Sequence, residues 1–255
     1  MNRKKEMSEN RKALPKFALT MTGSLLAGGV LGFVIGLTHV FGLDTADIAH
    51  SLSEAVRAAA PWGIPVSSVL TMGTAFFLYR AAAGKFAAWN GGDEDETSET
   101  IEMHLSWVLL LSAVQLLINL FFMSAACVYY LEEVNPLWIV GPFLLSCGCV
   151  IFAQQKVVDM EKRMNPEKHG SVYDTKFQKE WWNSCDESEQ RQIGQASYHA
   201  YQVTSRLCIG VWLVLTILGL VFEMNILPVF VLLVVWGVMQ ISYTLECIRM
   251  SKKGA

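Results

Sequence analysis

Six long apolar runs constrain this chain more than any other feature of its sequence. They cover roughly residues 17–40, 61–79, 105–131, 136–153, 207–222 and 226–243. A helix needs roughly 20 apolar residues to cross the hydrocarbon core of a bilayer. Backbone groups in lipid must also find partners within their own segment, which favours helices. The sequence therefore predicts an all-α polytopic membrane protein with six transmembrane helices.

The composition agrees with a membrane protein. Hydrophobic residues make up 53% of the chain and charged residues only 17%, whereas a soluble domain averages about 25% charged residues. The first run follows a basic leader of residues 1–16 and is too long for a cleavable signal peptide. We therefore expect the first run to stay in the protein as a signal anchor.

The basic residues are distributed asymmetrically about these six spans. Of the 20 Lys and Arg residues, six lie in the leader, two follow span two, eight follow span four and three lie in the tail. With six spans all four segments share one side, and the remaining basic residue, Arg57, lies on the other. Cytoplasmic loops carry an excess of Lys and Arg, so both termini are predicted to be cytoplasmic. The chain has a net charge of −3 and no basic stripe of the kind that binds nucleic acid.

The outer connections are short and predict an arrangement of three helical hairpins. Pro61, Pro136 and Pro228 stand near the starts of spans two, four and six, and proline is tolerated in the first turn of a helix. Before span two, an amphipathic segment with Ile48 and Leu52 on one face is predicted to form a helix along the outer surface.

The predicted organisation has five parts. A leader (1–16) precedes spans one to four (17–153), a helical cytoplasmic connection (154–206), spans five and six (207–248) and a tail (249–255). An acidic loop near residues 91–102 lies between spans two and three. It has no EF-hand spacing, so we interpret it as a solvated linker with acids near a helix N-terminus rather than a cation site.

The long connection after span four is the main candidate for contact with a partner. Span four is expected to continue as a helix until Asn165 and Pro166. Tyr173, Phe177 and Trp181 recur every four residues and predict an aromatic helix face. Ser184 and Glu187 fit a capping box for the next helix. The residues predicted to contact a partner are Tyr173, Asp174, Phe177, Trp181, Asp186 and Glu187.

Candidates for catalysis, cofactor binding and metal binding are absent from the sequence patterns. Cys147 and Cys149 diverge by roughly 200° on a helix, which disfavours a shared metal. The five histidines form no pair at metal-binding helical spacing. No catalytic residue, cofactor or metal is therefore predicted, although an enzyme site assembled from distant residues stays open.

Polar and small residues inside the spans are predicted to serve helix packing. Gln115 and Asn119 share one face of span three with Ser112. They either line a substrate path or hydrogen-bond between helices, and we favour the second interpretation. The small residues of span one form a ridge that lets another span or a second protomer approach closely; they are Ser24, Gly28, Gly32 and Gly36.

The segment from residue 172 to residue 202 resembles a family of uncharacterised multi-pass membrane proteins of Gram-positive bacteria, domain-of-unknown-function family 3169. The six-span layout extends the resemblance over almost the whole chain, and the positions that carry it are Tyr173, Asp174, Phe177, Trp181, Cys185, Asp186, Glu187 and Glu189. The resemblance implies a bacterial plasma membrane and assigns no catalytic residue.

Two functional hypotheses follow from the sequence. The first is a non-enzymatic accessory, regulatory or immunity-type protein that contacts a protein partner at the cytoplasmic face. The second is a small transporter or channel, working as a homo-oligomer, in which Gln115 and Asn119 line the path. The lipid bilayer is the environment in both, and nucleic acid is a partner in neither.

Overall fold

The computed structural model describes residues 15, 19, 21–23, 29, 45–89, 95–221 and 225–253. Each element with defined bounds in this part of the chain is an α-helix. They are α1 (Thr45–Ala88), α2 (Asp95–Tyr130), α3 (Leu137–Met164), α4 (Phe177–Ser184), α5 (Glu187–Val221) and α6 (Leu227–Lys253). The all-α prediction is confirmed for the described residues.

Five of these helices are long and apolar enough to cross a membrane, namely α1, α2, α3, α5 and α6. They match the apolar runs predicted at residues 61–79, 105–131, 136–153, 207–222 and 226–243 to within one residue at each end that falls outside a helix. The predicted run at residues 17–40 lies outside the described residues, except for residues 19, 21–23 and 29, which are helical. The described part of the chain is thus all-helical, with several membrane-compatible helices.

Helix α1 is longer than the sequence suggested. Its 44 residues join the amphipathic segment and the apolar run in one helix, which is about 66 Å long at 1.5 Å per residue. A hydrocarbon core of about 30 Å covers less than half of that length. The amphipathic segment is thus helical, as the sequence predicted, and it continues into the second apolar run without a break. Its predicted position along the outer surface stays a prediction.

Pro61 lies in the interior of α1 and not in a first turn, so its predicted position was also wrong. A proline in a helix interior removes the N–H that would bond to the carbonyl four residues earlier. That carbonyl belongs to Arg57, and the phenolic O–H of Tyr130 in α2 donates to it at 3.0 Å. The Arg57 side chain forms an ion pair with Glu133 at 3.2 Å. Contacts with the C-terminal end of α2 thus replace the bond that proline removes.

The described residues divide into two compact units. In the unit of residues 51–197, α1, α2 and α3 share a hydrophobic core of Ala75, Ala82, Ile101, Leu105, Val108, Val157 and Met160. These residues lie toward the C-terminal parts of α1 and α3 and the N-terminal part of α2. The core therefore lies at the end of the three helices where α3 leads into the long connection.

The other unit contains residues 198–255 together with the chain up to residue 50. Within it, the ring of Tyr201 in α5 stacks on Tyr243 in α6 with centroids 4.4 Å apart. Gln240 of α6 accepts a hydrogen bond from Tyr201 and donates one to Ser205 at 3.0 Å. Aromatic stacking and hydrogen bonding thus join α5 to α6.

Two glycines of α1 provide a matched test of how closely α1 and α2 pack. A Cβ atom built on Gly63 would overlap the ring of Phe122, whereas one built on Gly73 meets nothing within 4 Å. We expect Gly63→Ala to lower the thermal unfolding temperature in detergent, because the ring is too close to its own backbone to move away cheaply. Gly73→Ala should leave that temperature unchanged or raise it, since alanine is favoured over glycine in a helix by roughly 0.5–1 kcal/mol.

A size exchange identifies the cause of the Gly63 effect. Replacing Phe122 by Leu in the Gly63→Ala protein should recover part of the lost stability. Equal unfolding temperatures for Gly63→Ala and Gly73→Ala would contradict the close contact between Gly63 and Phe122.

Candidate functional site

Within the long connection (residues 154–206), the chain after Asn165 is folded against the C-terminal part of α3. Gln155 of α3 is buried, and its side-chain oxygen accepts hydrogen bonds from the hydroxyl of Ser171 at 3.1 Å and from the N–H of Val172 at 2.8 Å. Gly170 has a φ of 122°, a conformation that side chains disfavour. Its carbonyl accepts a hydrogen bond from Lys162. This turn brings the chain after Asn165 back alongside α3.

The junction of α4 and α5 contains a capping box, two residues later than predicted. Asp186 accepts a hydrogen bond from the N–H of Glu189 at 2.8 Å, and Glu189 accepts one from the N–H of Asp186 at 3.0 Å. This reciprocal pattern satisfies two N–H groups at a helix start. Ser184 instead ends α4 and donates to the carbonyl of Trp181 at 2.8 Å. The predicted Ser184–Glu187 box was wrong because α5 begins at Glu187 itself.

Two of the three predicted aromatic residues lie together. The ring centroids of Phe177 and Trp181, both in α4, are 5.7 Å apart. Tyr173 precedes α4 in a turn and is 67% exposed. The predicted helical face of three aromatic residues was therefore too long by one residue, because the helix begins only at Phe177.

A cavity of about 790 Å³ lies between these segments and the ends of α2 and α3. We call it the connection pocket. It is lined from α2 by Glu102, Leu105, Ser106 and Leu109, from α3 by Gln154, Val157, Val158 and Glu161, and from the rest of the connection by Lys168, Val172, Asp174, Thr175, Phe177, Gln178, Trp181, Cys185, Glu189, Gln192 and Ile193. The pocket therefore combines apolar walls with charged groups.

An ion pair with a buried ammonium group forms part of this lining. The ammonium group of Lys168 bonds to the carboxylate of Glu189 and lies 5.9 Å from the ring centroid of Trp181. The Lys168 side chain is 3% exposed and that of Glu189 is 37% exposed. Burial alone lowers the pKa of Lys168, but the hydrogen bond and charge of Glu189 outweigh it, so the pKa lies above its usual value. Lys168 therefore stays charged at neutral pH.

Acidic groups outnumber basic ones around the pocket. Its lining has four carboxylates, those of Glu102, Glu161, Asp174 and Glu189, and a single ammonium, that of Lys168. The pKa of Glu102, which precedes the apolar run of α2, is raised by burial and then by the charges of Glu161 and Glu189. Carboxylates that repel one another in this way favour a cation between them.

The thiol of Cys185 also faces the pocket and is suited to packing. It is 8% exposed and lies 3.3 Å from the carbonyl oxygen of Trp181. Burial raises its pKa, Lys168 lowers it and Glu189 raises it again, with a net increase. The thiolate is the reactive form of cysteine, so this environment keeps Cys185 in the less reactive form. Among the described residues, no group of three or more His, Cys, Asp or Glu could hold a metal ion.

Gln115 and Asn119 lie apart from the pocket, in a buried cluster of polar side chains within the three helices. The side-chain amide of Gln115 donates to Ser68 of α1 at 2.9 Å and to Asn119 at 2.8 Å. Its oxygen accepts from Thr71 of α1 at 2.6 Å. Ser146 of α3 donates to Asn119 at 3.0 Å. This cluster, with Ser67 as its sixth member, joins α1, α2 and α3.

The remaining predicted residues have varied positions. Asp174 lines the pocket and accepts from the N–H of Lys176 at 2.9 Å. Asp186 and Glu187 are exposed at the start of α5. The predicted packing ridge of Ser24, Gly28, Gly32 and Gly36 lies outside the described residues.

Sequence patterns did not identify Lys168, Glu102 or Glu161 as pocket residues. Glu102 comes from the end of the acidic loop, and Glu161 and Lys168 were seen only as part of a charged segment. They come together because α2, α3 and the connection fold onto one another. No local sequence pattern predicts that proximity.

The ion pair predicts an asymmetric response to mutation. Glu189→Gln retains a capping side chain at this position but leaves the buried ammonium of Lys168 without its anion. We expect it to lower the free energy of unfolding by roughly 2 kcal/mol, a value between those for exposed and for fully buried ion pairs. Lys168→Met leaves only the partly exposed Glu189 and should cost less than about 1 kcal/mol. Unfolding temperatures in detergent should therefore fall further for Glu189→Gln.

The pH dependence separates this ion-pair effect from lost packing. Without Glu189, burial lowers the folded-state pKa of Lys168, so the Glu189→Gln deficit should shrink as the pH rises toward 10.5, the ordinary lysine value. A deficit that is constant from pH 7 to pH 10 would contradict a stranded ammonium.

The raised pKa of Glu102 predicts that its charge destabilises the protein. A carboxyl group with a raised folded-state pKa costs nothing below its unfolded value of 4.5, and its full cost applies above the folded-state pKa. Glu102→Gln should therefore raise the unfolding temperature at pH 7, with a gain that disappears toward pH 4. Exposed Glu167, which does not line the pocket, provides the control Glu167→Gln. Equal gains for both variants would refute a destabilising charge at Glu102.

Comparison with known proteins places the chain in a family. Residues 12–247, which are most of its length, match the family described as "Protein of unknown function (DUF3169)". No curated protein and no solved structure matches the chain. The resemblance seen in the sequence is confirmed at the level of the family. The chain therefore belongs to the DUF3169 family of proteins of unknown function.

Proposed function

We propose that this chain is a non-enzymatic interaction protein of a bacterial plasma membrane, with an accessory, regulatory or immunity-type role. It has six spans and cytoplasmic termini, and the connection pocket faces the cytoplasm. The distribution of Lys and Arg supports this orientation. The site of interaction is the connection pocket, and its occupant is a basic segment of a protein partner.

The observation that carries this proposal is the composition of the pocket. Four carboxylates face a cavity that contains one ammonium, which is already paired. The rings of Phe177 and Trp181 lie beside them, and aromatic faces attract Lys and Arg side chains. A basic side chain that enters between Glu102 and Glu161 relieves their repulsion, while its apolar stem contacts Leu105 and Val157.

The transporter alternative has less support from the contacts. Its path would pass Gln115 and Asn119, whose side-chain groups already bond to α1, to α3 and to each other. Polar groups that are engaged in this way contribute to packing. The transporter therefore remains a second hypothesis without a specific site.

Neighbouring tryptophans provide a matched test of the interaction. Trp181 lines the pocket, whereas Trp182 does not line it and is 41% exposed. We expect Trp181→Ala to deplete at least one protein from the set that co-purifies from native membranes, measured by quantitative mass spectrometry. Trp182→Ala should retain that protein, and a photo-crosslinker at Gln178 should label a Lys- or Arg-rich segment of it.

A charge variant makes the test independent of the stability of Trp181→Ala. The double substitution Glu102→Gln and Glu161→Gln should also lose the partner, because it removes two of the four pocket carboxylates. Co-purifying sets that are identical for the wild type, Trp181→Ala and the charge variant would overturn the proposal. So would a crosslinked segment that lacks basic residues.

A further inference from the structure

A second cavity lies between α1 and α3, with Val108 of α2 also in its lining. It has a volume of about 370 Å³ and is lined by Met72, Ala75, Phe76, Tyr79, Val108, Cys149, Phe152, Ala153 and Lys156. We call it the apolar groove. All of its lining residues belong to the unit of residues 51–197, and none of them lines the connection pocket.

The groove is open on the side that faces away from the helical core. Ala75 and Val108 form its floor and are 2% and 1% exposed, whereas Phe76 and Phe152 at its sides are 55% and 57% exposed. These residues lie within helices that are apolar enough to cross a membrane. A groove of this kind in a bilayer faces acyl chains, so its apolar lining suits a lipid tail.

Two cations mark one end of the groove. The guanidinium of Arg80 lies 5.7 Å from the ring centroid of Phe76, and the ammonium of Lys156 lies 5.3 Å from that of Phe152. Both side chains are exposed, and among the described residues neither forms an ion pair with an acidic group. Each cation follows its aromatic residue by four positions, on the side of the helix that leads out of the apolar run.

We propose that the apolar groove binds one anionic phospholipid, with an acyl chain between Phe76 and Phe152 and the phosphate group beside Arg80 and Lys156. Basic residues between transmembrane helices recognise anionic head groups in this way. The charges of Arg80 and Lys156 select the head group, and the apolar walls of the groove hold the acyl chain. This inference uses the contacts of α1 and α3 and does not depend on the partner proposed for the connection pocket.

The test compares lipids by native mass spectrometry of the full chain in detergent. The protein is titrated with phosphatidylglycerol, with phosphatidylcholine of the same acyl chains, and with glycerol phosphate. We expect phosphatidylglycerol to bind most tightly. Arg80→Gln with Lys156→Gln should weaken its binding about 30-fold, since each basic group near an anionic lipid contributes about 1 kcal/mol.

The control removes the same number of charges from the same two helices. Lys85 and Arg163 are exposed and do not line the groove, so Lys85→Gln with Arg163→Gln should retain phosphatidylglycerol binding. Cys149→Leu, which narrows the groove from an exposed position, should weaken it. Preserved unfolding temperatures would verify that these variants fold.

Three outcomes would overturn the proposal. One is equal loss of phosphatidylglycerol binding in the two double variants, which would indicate a general charge effect. Another is an affinity for phosphatidylcholine equal to that for phosphatidylglycerol, which would show that Arg80 and Lys156 do not select the head group. An equal affinity for glycerol phosphate would likewise show that the groove does not bind the acyl chain. The third is a Cys149→Leu protein that changes its oligomeric state and not its lipid affinity, which would place a second copy of the chain in the groove.

Discussion

The side-chain amide of Gln115 is the contact on which the arrangement of α1, α2 and α3 depends. It is fully buried and bonds to α1 through Ser68 and Thr71 and, by way of Asn119, to Ser146 of α3. A hydrogen bond between membrane helices contributes only about 0.6 kcal/mol on average, whereas an unsatisfied polar group in lipid costs several kcal/mol. The cluster therefore acts mainly by penalising any other register of the three helices.

The connection pocket depends on that register. Its walls from α2 and α3 begin about two turns from the polar cluster, at Leu109 and Gln154, so the position of the cluster sets how these walls face each other. The remaining wall is held by local devices: the turn at Gly170, the bonds of Gln155 and the capping box at Asp186. One wall of the pocket is thus held in place by the packing of α2 and α3, and the other by hydrogen bonds within the connection.

The sequence predicted the helices well because hydrophobic length is a property of a single segment. It predicted the end of α3 at Asn165 for the same reason, since Asn-Pro stops a helix locally. It failed at Pro61, whose missing hydrogen bond is offset by Tyr130 from another helix. It also failed at the capping box, where two acceptable patterns lie two residues apart and the geometry of α4 decides between them.

The candidate site was predicted only in part, and for a physical reason. Phe177 and Trp181 were found because an aromatic spacing of four residues is visible in one helix. Lys168 and Glu189 are 21 positions apart, and Glu102 lies on an earlier helix, so their proximity is a property of the folded chain. The buried lysine in particular looks like any surface lysine in the sequence, because only the fold removes it from water.

Helix α3 connects features that have been described separately. It is held at Ser146 by the polar cluster, and farther along it Phe152 and Lys156 face the apolar groove while Val158 and Glu161 face the connection pocket. From Ser146 to Glu161 is about 22 Å of helix, and the two cavities lie against different faces of this segment. The shape of each cavity therefore depends on where α3 lies. A ligand that displaced α3 at one cavity would also change the shape of the other.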